Sequence, residues 1–412
     1  MFLRRYVERF FDIVIRLFVH PRRQVLFSSF QGQYTCNPKY ISLKLHEMYP
    51  DVRILWTSSE KSREHSLPNY IETVRFGSFQ YYFQKHSSLV VVDNGAGLNL
   101  VIKDGRIPWY YRLLKNYKQL NLSTWHGTPL KKIGINIGES SDRLAVLSTS
   151  DLLIAGCRYT KEILEKAFLN SVPVYAIGTP RNDILIESSH NRIEDLKRKL
   201  GIPPLKRVIL FAPTYRDSIE DSGLRQLREI DVDLLLDTLK SKFGGDWVLV
   251  VRVHQMVQQH YDSIYKSQFC SDQRVVDGNI GDDMAEYLLV TDVLLSDYSG
   301  SIFDFSLTGK PCFLFTQDEE KYATERGFYL NLDELPFPRA SSFSGLMDMI
   351  DRFSTDIYLD HLSSFLSYLG NVEDGKASEK IVNILKVYID SKDLKETLKY
   401  AKDIEFNSER QY

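Results

Sequence analysis

Hydrophobic residues along this chain gather in short, nearly continuous runs separated by longer stretches with one apolar face. Runs rich in Val, Ile, Leu and Phe occupy 25–30, 53–57, 89–93, 120–124, 151–155 and 172–177. A second series occupies 208–212, 247–253, 274–276, 293–296 and 312–315. Such runs predict buried β-strands. Between them apolar positions recur at helical spacing, as at 160–168 and 234–243, which predicts amphipathic helices. The alternation implies an α/β fold, with parallel sheets covered by helices on both faces. The polar stretch 187–199 and Gly201-Ile202-Pro203-Pro204 part the two series. Two doubly wound, Rossmann-like domains are therefore expected, at 23–190 and 201–390, with a cleft between them. The charged tail 391–412 is either a helix or frayed.

The first residues follow a different pattern. Phe2, Leu3, Tyr6, Phe10, Ile13, Val14, Leu17 and Phe18 recur at helical spacing, with Arg4, Arg5, Arg9 and Arg16 between them. An amphipathic helix over 1–22 can lie on an anionic membrane surface or pack on the protein's own core. Glu8, Arg9, Asp12 and Arg16 interrupt any signal-peptide core. The chain has no uninterrupted apolar run of the roughly 20 residues that span a bilayer. The stretch 103–118, with Arg106, Trp109, Tyr110, Tyr111, Arg112, Lys115 and Tyr117, suits a membrane interface or an ordinary amphipathic helix.

Composition narrows the class. The 412 residues are 43% hydrophobic and 26% charged, as in a soluble globular protein. A net charge of −2 gives the chain no nucleic-acid character. Cys36, Cys157, Cys270 and Cys312 are scattered, which reads as reduced thiols and neither a disulfide frame nor a zinc site.

In open α/β sheets ligands bind beyond the carboxyl ends of the strands, so motifs placed just after a strand carry the chemistry. Trp125-His126-Gly127-Thr128-Pro129-Leu130-Lys131-Lys132 follows the run 120–124. His126 can accept a hydroxyl proton, Gly127 permits close approach, and Lys131 and Lys132 supply cations; a structural histidine at a strand end is the alternative. Arg252 and His254 close the run 247–253 on one side of the strand. They can hold a pyrophosphate, or Arg252 can pair with a core carboxylate. Thr214 and Arg216, in Ala212-Pro213-Thr214-Tyr215-Arg216, can contact phosphate or form a plain turn. Ser299, Gly300 and Ser301 open a helix after the run 293–296. Its N-terminus can bind an anion or simply be capped by Ser299, and Asp304, one turn further on, can reach a ribose or a serine hydroxyl. The chain has no GxxxxGK[ST] loop, GxSxG elbow, HExxH or obvious metal-binding acidic pair; Asp282-Asp283 falls in a loop or helix start.

Taken in order, these motifs resemble the CDP-glycerol glycerophosphotransferase family, the teichoic acid primases and polymerases. The matching pieces are Gly32 with Asn37-Pro38-Lys39-Tyr40, WHGTPLKKIG at 125–134, Gly178-Thr179-Pro180-Arg181-Asn182-Asp183, and APTYR at 212–216. They continue with Arg252 and His254, TDVLLSDYSGSIFDF at 291–305, and Glu325-Arg326-Gly327-Phe328-Tyr329. The resemblance implies a GT-B architecture with the nucleotide held by the C-terminal domain, and no metal or other cofactor. It implies a CDP-glycerol or CDP-ribitol donor whose β-phosphate is attacked by a hydroxyl of a lipid-linked saccharide or polyol-phosphate chain, with CMP leaving. Work at the cytoplasmic face of the membrane, in teichoic acid or capsule synthesis, goes with it.

On this reading His126 is the general base. His254 and Arg252 stabilise the β-phosphate and the departing CMP. Ser299, Gly300 and Ser301 hold the pyrophosphate with help from Thr214 and Arg216, and Asp304 binds ribose or braces the serines. Gly127, Thr128, Lys131, Lys132 and Arg326 contact acceptor or phosphate. Two positions depart from the family pattern. Gln255 follows His254 where proline is common, and Gly300 stands where a second adjacent serine is usual. A GT-B glycosyltransferase using a nucleotide sugar and a non-catalytic membrane-associated scaffold are the alternative readings. The sequence does not distinguish priming from polymerising; room for one GT-B unit and little else mildly favours a primase or a short-chain enzyme.

Overall fold

The computed structural model of the chain describes residues 14–59, 67–95, 118–138, 150–168, 172–216, 223–264, 266, 272–281 and 283–410. Residues 1–13 of the expected N-terminal helix, 103–117 of the basic-aromatic stretch, and Asp282 lie outside these. Residues 14–18 are helical, and Leu17 and Phe18 are 71% and 79% exposed. Among the described residues no helix is long and apolar enough to cross a membrane.

The chain forms two compact units, each built on one parallel sheet. The first sheet has seven strands: β1 (Arg22–Phe27), β2 (Arg53–Ser58), β3 (Ile71–Arg75), β4 (Ser88–Asp93), β5 (Leu120–Ser123), β6 (Leu152–Ala155) and β7 (Val174–Ala176). Their order is β3-β2-β1-β4-β5-β6-β7. The second sheet has six: β8 (Arg207–Phe211), β9 (Trp247–Val251), β10 (Val275–Asp277), β11 (Val293–Ser296), β12 (Cys312–Phe315) and β13 (Arg339–Ala340), in the order β10-β9-β8-β11-β12-β13. Both are doubly wound sheets of the Rossmann kind, as expected. In each, the strand order reverses beside the first strand, between β1 and β4 and between β8 and β11, and a crevice for ligands opens at such a reversal.

The period of two along a strand explains the core of the first unit. Val25, Phe27, Ile54, Trp56, Val90 and Val92 share one buried cluster. Their alternating neighbours Leu26, Leu55 and Val91 join another with Val74 and Tyr81 on the opposite face. Helix Cys36–Met48 covers the first face with Ile41 and Leu45. The rest of its cover comes from the far end of the chain: Ile381, Val382, Leu385, Tyr388 and Ile389 of helix Ala377–Ser391 and Ala401 of helix Leu394–Glu409.

The domain limits expected from the sequence are thereby corrected. The first unit takes Leu369–Tyr412 as well as its N-terminal portion up to Asp183, while Pro129–Lys132 pack with the second unit, Ile184–Tyr368. An apolar helix face needs a sheet to cover, but the sequence does not say which sheet. Buried carboxylates fasten the returning segment. Glu373 accepts the Thr179 N–H at 3.0 and 2.9 Å. Asp183 accepts the Ala377 and Ser378 N–H groups, at 2.9 and 2.8 Å, at the start of a helix; burial nonetheless raises its pKa to about 6. Glu405 takes the Ala176 N–H at 2.6 Å and pairs with Lys161 at 2.9 Å.

Leu385→Ala should cost about 2–5 kcal/mol, a loss confined to the first unit. Hydrogen exchange should speed up in β1, β2 and β4 and stay unchanged in β8 and β11. Faster exchange in the second sheet instead would contradict the packing of the returning helices.

Candidate functional site

In the first unit the expected base sits where β5 ends. Trp125 adopts a left-handed backbone, φ 50°, a state that costs a non-glycine residue on the order of 1–3 kcal/mol. Its ring is buried against Phe168, centroids 5.3 Å apart, and lies 4.3 Å from the His126 ring. Asn37 donates from Nδ2 to the carbonyls of Thr124, at 3.3 Å, and Trp125, at 3.1 Å. The turn presents the exposed His126 side chain beside the end of β4. There Nδ1 lies 3.0 Å from the carbonyl oxygen of Asn94. A carbonyl can only accept, so in the neutral ring Nδ1 carries the hydrogen and Nε2 is the acceptor.

Gly127 has φ 132°, and a Cβ there would come 2.6 Å from Arg181 Nη2. The Thr128 hydroxyl accepts from Thr160 at 3.3 Å. Asn94 is fully buried, with Nδ2 donating to Ser29 at 3.1 Å and Oδ1 buried without a partner. Asn37, Asn94 and Arg181 were not assigned roles from sequence. Asn37 and Arg181 stood in motifs that offered a signal, whereas Asn94 offered none.

In the second unit the reversal between β8 and β11 is organised around Asp297, which is fully buried. It accepts the backbone N–H of Thr214 at 2.8 Å and of Tyr298 at 2.7 Å, and lies 2.9 Å from Arg216 Nη1. Arg216 also holds Asp318, at 2.6 and 3.0 Å, and the Thr214 carbonyl at 2.9 Å. Arg216, expected to contact phosphate, has its fork on two carboxylates and braces the turn. Thr214 lies buried beside it, its hydroxyl without a partner.

Ser299 Oγ takes the Ser301 N–H at 3.3 Å and the Ser301 hydroxyl at 2.9 Å. Gly300 stands between them with φ −63°, a backbone open to any residue, and Asp304 is buried within the helix. That helix, Ser301–Ser306, has only six residues, so its dipole is short and the serine hydroxyls matter more.

Arg252, expected to stabilise the β-phosphate, directly follows β9. Its Nη1 donates to the carbonyls of Gly278 and Gly281, both at 2.6 Å, and its guanidinium lies 4.5 Å from the Tyr287 ring centroid. The carbonyls and the ring hold the cation in place. His254 opens helix Gln255–Ile264, and its Nδ1 accepts the Met256 N–H at 3.2 Å. In the neutral ring Nε2 then carries the hydrogen, the reverse of His126. The imidazole has an exposed side and lies 5.3 Å from the Tyr215 ring. Burial of the rest, with Lys131 and Arg252 nearby, holds its pKa below the ordinary histidine value.

Lys131 belongs to this unit. It forms a bridge with Phe328, and the Lys132 N–H donates to the Gly327 carbonyl at 3.1 Å. Burial pulls its amine down to about 8, against the attraction of Asp297 and with help from Arg326 and Arg216. Lys132 and Arg326 are exposed beside it, the Lys132 stem lying over Gly327. The second unit thus carries Thr214, His254, Ser299 and Ser301 just beyond strand ends, and Lys131 on its bridge to Phe328. Among the described residues no cluster of His, Cys, Asp and Glu could hold a metal ion.

The first unit thus carries a histidine nitrogen able to accept a proton, and the second a group of cations and hydroxyls. Residues 9–386 match CDP-Glycerol:Poly(glycerophosphate) glycerophosphotransferase. The chain belongs to that family. It is 30% identical over 394 residues to the teichoic acid poly(glycerol phosphate) polymerase of Staphylococcus epidermidis, covering 91% of this chain and 51% of that one. To the teichoic acid glycerol-phosphate transferase of Staphylococcus aureus it is 29% identical over 382 residues, covering 87% and 91%. The chain thus spans about half the length of some curated relatives it matches and most of the length of others. The solved structure of the wall teichoic acid polymerase TagF superposes with a TM-score of 0.76 at 28% identity, covering 93% of each chain. A histidine-to-asparagine variant of TagF soaked with CDPG gives 0.75 at 26% identity, again covering 93% of each.

The depressed pKa of His254 can be read by following its ring signals with pH. The midpoint should lie below the 6.5 of an unperturbed histidine. Lys131→Met, which removes a neighbouring cation, should move it upward. A midpoint that stayed put or fell would remove Lys131 from the electrostatics of this site.

Proposed function

We propose that this chain transfers glycerol phosphate from CDP-glycerol to a hydroxyl of a lipid-linked saccharide or polyol-phosphate chain, releasing CMP. His126 Nε2 takes the acceptor's hydroxyl proton, and the oxygen attacks the β-phosphorus. The bond from that phosphorus to the bridging oxygen breaks, and the electron pair leaves with CMP. His254 Nε2–H and the Lys131 amine face the charge that builds on the phosphate oxygens. Thr214, Ser299, Gly300 and Ser301 hold the pyrophosphate, while Arg216, Arg252 and Asp304 keep these groups in place. Gly127 and Thr128 shape the acceptor side, and Lys132 and Arg326 add positive potential.

One observation carries this reading: the two histidines are fixed in opposite tautomers, one able to accept a proton through Nε2 and the other to donate a hydrogen bond from it. The family membership and the CDPG soak of TagF favour the glycerol donor. Exposed Leu17 and Phe18, beside Arg16, favour a peripheral contact with the membrane that bears the acceptor.

The test offers the protein CDP-glycerol, CDP-ribitol, or UDP- and CMP-sugars with a lipid-linked disaccharide, and identifies the nucleotide released and the mass added. CMP with one or more glycerol phosphates is expected; a UDP product or an added sugar would overturn the reading. A positioned general base contributes about 10²–10⁴-fold, so His126→Ala should lose turnover by that factor while calorimetry still detects donor binding. Turnover near wild type in that variant would remove His126 as base.

A further inference from the structure

Asn37 and the segment 178–183 recur in the sequence pattern yet take no part in the chemistry proposed above. Both converge on the turn that carries His126. Three consecutive carbonyls of that turn receive a side-chain donor from elsewhere in the chain. Asn37 Nδ2 serves Thr124 and Trp125, at 3.3 and 3.1 Å, and Arg181 Nη1 serves His126 at 2.7 Å. Asn37 Oδ1 also accepts the backbone N–H of Arg181 at 3.2 Å, so the two donors are tied to each other. Asn37 is 1% exposed, and it sits in the first turn of helix Cys36–Met48, whose apolar face packs on the sheet. The anchor is therefore rigid.

The carbonyl directions of Thr124 and Trp125 follow from the left-handed conformation of Trp125. That conformation decides whether the next side chain, His126, meets the Asn94 carbonyl. We infer that Asn37 is a positioning residue for the base. By holding those two carbonyls it keeps Trp125 left-handed and His126 in the tautomer that leaves Nε2 as acceptor, while Arg181 secures the carbonyl that follows. Asn37 acts here through the backbone carbonyls it holds. The inference rests on His126 being the base of the proposed transfer.

Asn37→Asp has nearly the same shape but turns the donor into an acceptor facing two carbonyls. Misplacing a reacting group by about 1 Å can cost 10²-fold, so kcat with CDP-glycerol should fall by about that factor while the donor KM stays unchanged. In ¹⁵N-histidine spectra His126 should move from a single Nδ1–H tautomer to a mixture. Wild-type kcat in the folded variant would overturn the inference. So would a kcat loss matched by an equal rise in donor KM, or one with unaltered His126 signals. Should Asn37→Asp not fold, Asn37→Ser carries the same readouts, with a smaller loss and a shifted ring supporting the role and wild-type values overturning it. The ring signals need no turnover. A wild-type protein inactive on CDP-glycerol would sink the proposed reaction and leave the positioning of His126 to be judged by its spectrum.

Discussion

The hydrogen bond from His126 Nδ1 to the carbonyl of Asn94 is the contact on which the proposed chemistry depends. A neutral imidazole carries one hydrogen, and the partner of one nitrogen decides what the other can do. To place this contact the chain holds Trp125 in a conformation costing on the order of 1–3 kcal/mol. Hydrogen bonds contribute about 0.5–1.5 kcal/mol each, so the donors from Asn37 and Arg181 to three carbonyls are of the size needed to offset that strain. Arg181 is placed in turn by the segment that Glu373 and Asp183 fasten to the returning C-terminal helices. The last residues of the chain therefore support a turn near residue 125.

The second unit solves a different problem, the gathering of positive charge without collapse. Arg216 lies between Asp297 and Asp318. Removing one member of such a buried group leaves an unpaired charge, typically a loss of 3–5 kcal/mol. Arg252 is fixed by glycine carbonyls and the Tyr287 ring. Arg216 and Arg252 are committed to structure, while Lys131 is partly buried and its amine is lowered to about 8. The same cation helps keep His254 neutral, which its Nδ1 must be to accept the Met256 N–H.

Most of the fold could be read from hydrophobic runs, because parallel strands buried on both faces are continuous in Val, Ile, Leu and Phe. Two edge strands escaped. In β3 the sequence IETVR is buried only at Ile71 and Val74, and β13 has two residues. His126, His254, Thr214, Ser299 and Ser301 do lie just after strands, where the sequence had placed them. The partners of Arg216 and Arg252 were not legible, because a sequence shows a cation but not the group it will find; Asp318 lies 102 residues from Arg216. Asn37 and Arg181 were recognised only as parts of motifs, since they act on backbone carbonyls, which leave no trace in side-chain chemistry. The C-terminal helices were assigned to the wrong unit because an apolar stripe does not name the sheet it covers.

The most direct test is the protonation pattern of the two histidines in the wild-type protein at neutral pH, read from long-range ¹H–¹⁵N correlations and assigned with single-histidine substitutions. The expected result is hydrogen on Nδ1 of His126 and on Nε2 of His254. The same tautomer on both rings, or the reverse pair, would contradict the division of labour between a proton-accepting and a hydrogen-bond-donating histidine.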